Sequence, residues 1–356
     1  MARTAWVFSG RRRKRGKRVT EVIVHAGVHK TGSSSIQQAL QSPLNALIFE
    51  REGIWIPRNL PANQSHFFVS AFGLRPERYH ANVRDGLGPR EVKDLVKGQV
   101  KRLLSDLGRA RFQKIVFSGE DISTLAPKEL ENLRAAFNEW FGVDAQVGFA
   151  LYSRRPESFV ESAIQQNVKG NGMTIERSRA WHVQSCHEKY KTIVERVELV
   201  FGPDAVQVYG FEDSTSRFGS VVRHFGKVVL RGLELSDPER QNSAISDQTV
   251  RFLSECHADG HAVGLDDQKL LGQLPGSHGS LLTEGDRKEI AELSLGDRIF
   301  LHERFGIDYR DPPTEKSNGR RDDSGYCEAA KLILPLLEPS TKSRFAEFLS
   351  RIREEH

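Results

Sequence analysis

The residues best suited to chemistry lie between Gly27 and Ser35, where two glycines, a lysine, a threonine and three serines directly follow an apolar run. That run, Val22-Ile23-Val24-His25-Ala26, is β-branched and does not alternate, the pattern of a strand buried on both faces. Ser33 to Ser35 lead into Ile36, Gln37, Gln38, Ala39 and Leu40, a predicted helix with small polar residues at its start. Strand, glycine-rich turn and helix N-terminus together present backbone N–H groups and the positive end of the helix dipole to whatever occupies the turn. Lys30 adds a full positive charge. The predicted chemistry is recognition of a phosphate or sulfate group by Gly27, Lys30, Thr31, Gly32, Ser33, Ser34 and Ser35. The plainer alternative is a βα loop that two glycines merely shape.

The order of these residues narrows the choice. A nucleotide triphosphatase loop needs G-x-x-x-x-G-K-[ST], with the lysine after the second glycine so that it reaches the β- and γ-phosphates. Gly27 and Gly32 have that separation and Ser34 suits the last position, but Ser33 stands where the lysine belongs and Lys30 precedes Gly32 by two residues. An ATP-dependent kinase remains the second reading, with Ser34 as its magnesium contact.

A further turn reads Tyr152-Ser153-Arg154-Arg155-Pro156 and runs on to Ser162. Arginine at the carboxyl end of a strand, with proline opening the next helix, puts a guanidinium fork where open α/β sheets bind ligands. Ser162 follows Arg154 by eight residues, about two helical turns, so the two can converge on one phosphate. Arg155 can share the role. A solvated Arg-Arg-Pro turn is the competing reading.

The stretch His25-x-Gly27-x-x-Lys30-Thr31-Gly32-Ser33-Ser34-Ser35-Ile36-Gln37 resembles the 5′-phosphosulfate loop of sulfotransferases that use 3′-phosphoadenosine 5′-phosphosulfate (PAPS), most closely the bacterial carbohydrate-type branch. An Arg and a Ser eight apart are similar to that family's 3′-phosphate motif. The resemblance covers both turns well and, more loosely, Val19 to Tyr309. It implies a sulfuryl transfer from PAPS to a hydroxyl of a carbohydrate or glycolipid by in-line displacement, with Lys30 at the bridging oxygen and no metal. The acceptor hydroxyl needs a base. Glu120 is the first candidate, closing Ser118-Gly119-Glu120 after a predicted strand and similar to the family's Ser-x-Glu stretch; His66 is the second and His25 the third. Gln241 to Ser246 is similar to a late Asn-x-Ser stretch of the same family, altered in spacing.

The elements that must position these groups alternate along the chain. Strands are predicted at Val22–Ala26, Gly53–Pro57, Lys114–Ser118, Ala145–Tyr152 and Ala205–Gly210, and helices at Gly88–Leu107, Lys128–Trp140, Trp181–Leu199, Arg217–Phe225 and Glu284–Phe305. Asn59–Ser70 is predicted as loop, and Asn167–Gly172 as a mobile, substrate-facing loop. This alternation predicts an α/β fold with a mostly parallel central sheet flanked by helices on both faces, with appended C-terminal helices, and the resemblance implies that the sheet is P-loop-like. The expected organisation is a basic arm over residues 1–18, a sulfotransferase-like domain over 19–310, a linker over 311–326 and a helical extension, or partner-binding hairpin, over 327–356. His182, Cys186 and His187 have ligand-like spacing but no second cluster, so no metal is expected.

Bulk composition sets outer bounds. The chain has 356 residues, a net charge of +5 and three widely spaced cysteines, which argue against a disulfide framework and for a reducing, cytoplasmic setting. Seven of the eight residues from Arg11 to Arg18 are basic and the remainder is close to neutral, so the charge surplus predicts no specific nucleic-acid partner. The run reads first as a solvated, flexible arm, and contact with anionic membrane or polyanion is its second reading. A non-catalytic, polyanion-binding scaffold of the same fold is the third reading.

Overall fold

The computed structural model describes residues 21–107, 112–187, 189–238, 245–276, 279–310 and 324–354. The expected basic arm, most of the expected linker and Gln241–Ala244 lie outside the described residues. In chain order the first elements are β1 (Glu21–His25), α1 (Ser33–Gln41), α2 (Pro43–Arg51), β2 (Ile54–Trp55), α3 (Ser65–Phe72), α4 (His80–Arg84), α5 (Pro89–Leu107), β3 (Lys114–Ser118) and α6 (Pro127–Phe141). Then come β4 (Gln146–Ser153), α7 (Pro156–Asn171), α8 (Ile175–Gln184), α9 (Tyr190–Phe201), β5 (Val206–Gly210), α10 (Phe211–Phe218) and α11 (Val221–His224). The last are α12 (Asp247–Ala258), α13 (Leu265–Leu271), α14 (Glu284–Leu293), α15 (Leu295–Phe305), α16 (Ser324–Ile333) and α17 (Pro339–Glu354).

The five strands form one parallel sheet in the order β2-β3-β1-β4-β5. The α/β architecture is the expected one. Strand β1 is central: Val22 faces Ile115 of β3 and Val147 of β4, and Val24 faces Phe117 and Phe149. All of these except Val147 are fully enclosed, which explains why the strands read as continuous apolar runs.

The chain divides into two compact units, a division no sequence pattern announces. The first comprises residues 1–154, 189–239 and 300–307 and contains the sheet. On one side of the sheet Ile36, Ala39 and Leu40 of α1 pack with Ile23, Val116, Tyr152, Val221 and Phe225. Elsewhere in this unit Phe68 and Phe137 close on Phe117, with ring centroids 5.3 and 5.6 Å from it. The second unit comprises residues 155–188, 240–299 and 308–356, and its core joins Val160 and Ile164 of α7, Phe252 and Leu253 of α12, Tyr326 of α16 and Phe345 and Phe348 of α17. Helices α16 and α17 therefore supply core side chains and do not stand apart as an exposed hairpin.

Several local expectations need correction. Asn167–Asn171 completes α7, and Gly172, in the left-handed region at φ 62°, caps it, so this stretch is a helix end and not a loop. Ser65–Phe72 is helical where a loop was expected, because Phe67, Phe68 and Phe72 all find aromatic partners inside the fold. The predicted helix 181–199 splits into α8 and α9 around Ser185, and 284–305 splits at Ser294, whose hydroxyl donates to the Ile290 carbonyl at 2.6 Å. Residues 217–225 likewise fall on α10 and α11, separated by Gly219 at φ 79°. Among the described residues no helix is long and apolar enough to cross a membrane.

Candidate functional site

Strand β1 connects toward β2 at one edge of the sheet, whereas β4 connects to β5 at the other. The crevice at the carboxyl ends of β1 and β4 is thus the point where connections diverge, the usual ligand position in open α/β sheets. Two segments meet there: Arg154 Nη1 donates a 2.8 Å hydrogen bond to the carbonyl of Lys30, across 124 residues of chain. The Arg154 guanidinium also lies over the Phe211 ring, 5.2 Å from its centroid, and its backbone N–H donates to the Tyr190 hydroxyl at 3.1 Å. The arginine predicted to contact a phosphate holds the Lys30 loop in place.

The loop has a specific shape. Lys30 (φ 68°) and Gly32 (φ 79°) are both left-handed, a conformation that costs a lysine about 1 kcal/mol. Thr31 and Ser33 are buried and turn inward, Thr31 Oγ1 donating to the Val28 carbonyl at 2.6 Å and Ser33 Oγ to the same oxygen at 3.3 Å. Their hydroxyls shape the turn, while Ser34 and Ser35 are exposed. Among the described residues the backbone N–H groups of Lys30 and of Gly32 to Ser34 make no hydrogen bond, and α1 has no side-chain cap. Both glycines are required sterically: a Cβ at Gly27 would lie 2.3 Å from Ser33 Oγ, and one at Gly32 would lie 2.7 Å from Val221 Cγ1. A glycine-tight turn with open N–H donors beside a lysine fits a phosphate-type oxyanion. Burial pulls the Lys30 ammonium below its ordinary range, Glu120 opposes that shift and Arg154 adds to it.

Beside the loop stands a pair of carboxylates. Glu120 and Asp121 open a short 3-10 turn after β3, fixed by Asp121 N–H donating to Ser65 Oγ at 2.9 Å and by Arg196 Nη2 donating to the Ser123 carbonyl at 2.6 Å. His29, on the β1 loop, bridges them, with Nδ1 2.6 Å from Glu120 Oε2 and Nε2 3.2 Å from Asp121 Oδ1. Hydrogen bonds to Asp121 and Glu120 raise its pKa to about 9 against the opposing effect of burial. Tyr79 donates to Asp121 Oδ2 at 2.6 Å. Burial pushes the Asp121 carboxyl up, but the His29 and Tyr79 bonds outweigh it and hold it below its ordinary value. No motif pointed to His29; the only signal available is that its loop follows the strand paired with β3.

The other predicted residues fall as follows. His66 Nε2 donates to Asn82 Oδ1 at 2.5 Å, because Asn82 Nδ2 is engaged with Ser70 Oγ and the Pro76 carbonyl, and the ring stacks on Tyr79. It borders the carboxylate network without a bond to Glu120 among the described residues. His25 is wholly buried, shares a 2.7 Å hydrogen bond with Ser118 Oγ, and is held neutral by burial, which lowers its pKa to about 3. A base with that pKa is a poor proton acceptor at neutral pH. Arg155 belongs to the second unit, where its guanidinium lies over Tyr309, 5.4 Å from the ring centroid. Ser162 is on α7 of the same unit and half-buried. His182 Nε2 meets Asn167 Nδ2 at 2.9 Å, and Cys186 Sγ donates to the His182 carbonyl.

No family model matches this chain, and no curated protein matches it. Among solved structures it is similar to the crystal structure of a sulfotransferase from Alicyclobacillus acidocaldarius, with 17% identity, a TM-score of 0.41, and 82% of this chain and 98% of that chain covered.

Proposed function

We propose that this protein is a sulfotransferase that moves a sulfuryl group from PAPS to a hydroxyl of a carbohydrate or glycolipid acceptor. The observation that carries the reading is the Arg154-anchored loop, in which Lys30 and Gly32 adopt left-handed backbone and the N–H groups of Lys30 and of Gly32 to Ser34 are left without partners among the described residues. Those N–H groups, with Ser34 and Ser35, would hold the 5′-phosphate, and Arg154 would contact the 3′-phosphate. Lys30 would stabilise the charge left on the bridging oxygen as its bond to sulfur breaks and the bond from acceptor oxygen to sulfur forms. Glu120, whose charge acts on the Lys30 ammonium, would take the acceptor's proton. The missing lysine after Gly32 weighs against a triphosphate donor.

Calorimetry with adenosine 3′,5′-bisphosphate, the donor product, tests the donor half. Binding is expected, and Lys30→Ala with Arg154→Ala should weaken it by at least about a hundredfold, since each removes a charge-assisted contact of about 1.5–3 kcal/mol. Absence of binding, or affinity unmoved by the double substitution, would refute the assignment.

A further inference from the structure

His29 is placed oddly for a residue of an anion loop. Its neighbour Lys30 carries the loop's cation, yet the His29 ring is turned to two carboxylates, one of which, Glu120, is the candidate base. Both ring nitrogens approach carboxylate oxygens, so both must carry hydrogen and the ring is an imidazolium. A ring in that state has no lone pair with which to accept a proton, so His29 cannot itself be the base. The 2.6 Å contact instead occupies one of the two Glu120 carboxylate oxygens, Oε2, and fixes the orientation of the carboxylate.

We propose that His29 is a positioning residue that clamps Glu120 in the resting site, and that release of the ring from Glu120 and Asp121 is what lets Glu120 accept the acceptor's proton; this rests on the reading of the site as a sulfuryl-transfer centre. The geometry suits a releasable clamp. The carboxylates are largely buried and fixed, at 14% and 15% side-chain exposure, whereas the His29 side chain is 59% exposed and can swing outward without opening the core. The charged and titratable groups facing this cluster are Glu120 and Asp121 from the turn after β3, Tyr79 and His80 beside Asp121, Lys30 on the same loop as His29, and Arg154 beyond Lys30. Loss of the His29 proton leaves one N–H for two carboxylates and weakens the clamp. Loss of the Lys30 proton acts in the opposite direction, removing a cation that the leaving phosphate needs.

The test uses the full chain and two readouts. In histidine-resolved NMR the His29 ring should titrate near pH 9 and return toward its ordinary 6.5 in the Glu120→Gln, Asp121→Asn double variant. Sulfate release from saturating PAPS, with water as the probe acceptor, should rise about tenfold per pH unit between pH 7 and the ring's measured pKa. His29→Gln should abolish that limb and raise the rate at pH 7 by up to about a hundredfold, its fold checked by thermal unfolding. A ring that titrates near 6.5 in the wild type, or a His29→Gln enzyme that keeps the alkaline limb, overturns the clamp. Failure of the wild type to bind adenosine bisphosphate overturns the sulfotransferase reading instead, and leaves the NMR result to judge the clamp.

Discussion

At the scale of single residues, the loop after β1 is built by side chains that turn inward onto its own backbone. Thr31 and Ser33 both spend their hydroxyls on the Val28 carbonyl, and Gly27 exists because Ser33 Oγ would otherwise lie 2.3 Å from a Cβ. Gly27→Ala should therefore destabilise the protein by about 1–3 kcal/mol, the usual effect of overpacking, and weaken bisphosphate binding. Adding Ser33→Ala removes the nearest clashing atom and should restore part of both; Ser33 Cβ, at 3.0 Å, keeps the rescue incomplete. Denaturant unfolding of the single and double variants reads this directly, and a Gly27→Ala protein as stable as the wild type would show that the turn does not need this packing. The loop's glycine, lysine and serine content was legible in the sequence. The inward turn of Thr31 and Ser33 was not, because a hydroxyl in a polar turn has the same signature whether it faces ligand or backbone.

At the scale of elements, the start of α7 is held by a buried ion pair. Arg298 of α15 donates through Nη2 to Glu157 Oε1 at 2.6 Å, through Nε to Ser294 Oγ at 2.8 Å, and through Nη1 to the Tyr309 carbonyl. Both side chains are about 95% buried, so removing one partner leaves an uncompensated charge. Arg298→Ala should cost about 3–5 kcal/mol in urea unfolding, and Glu157→Gln added to it should recover part of the loss by removing the stranded carboxylate. An Arg298→Ala protein indistinguishable from the wild type would show that the pair does not secure α7. Helical periodicity foretold helix over 284–305 but not its break at Ser294, where a side-chain hydroxyl competes for the backbone.

At the scale of the whole molecule, stability is bounded by histidines on both sides of neutrality. Burial holds His25 neutral down to about pH 3 and His224 down to about pH 4, whereas in the unfolded chain each protonates near 6.5. Below pH 6.5 the unfolded state therefore binds more protons, and stability should fall with pH by up to about 1.4 kcal/mol per unit for each histidine until its folded pKa is reached. His29 has the opposite sign. Its pKa is raised to about 9, so its contribution is complete below pH 6.5 and is lost as pH climbs toward 9. Thermal unfolding across pH 4 to 10 should give a maximum near pH 6.5, and His29→Gln should flatten only the alkaline side. A wild-type profile flat between pH 6.5 and 4 would contradict the neutral, buried state of His25 and His224.

By itself the sequence determined what depends on neighbours in the chain. The apolar runs at Val22–Ala26, Lys114–Ser118 and Ala145–Tyr152 declared buried parallel strands, the period of Gly88–Leu107 declared an amphipathic helix, and the glycines of Gly27–Ser35 declared a tight turn between strand and helix. The tertiary structure alone decided what depends on which strands lie side by side. The order β2-β3-β1-β4-β5 brings Arg154 onto the Lys30 carbonyl and His29 onto Glu120 and Asp121, and it pairs His25 with Ser118. Close packing likewise gathered α7, α8, α12 to α14, α16 and α17 around one core. These contacts join residues dozens to more than a hundred positions apart, a distance at which no periodicity or local propensity links them, so strand register and packing had to choose the partners.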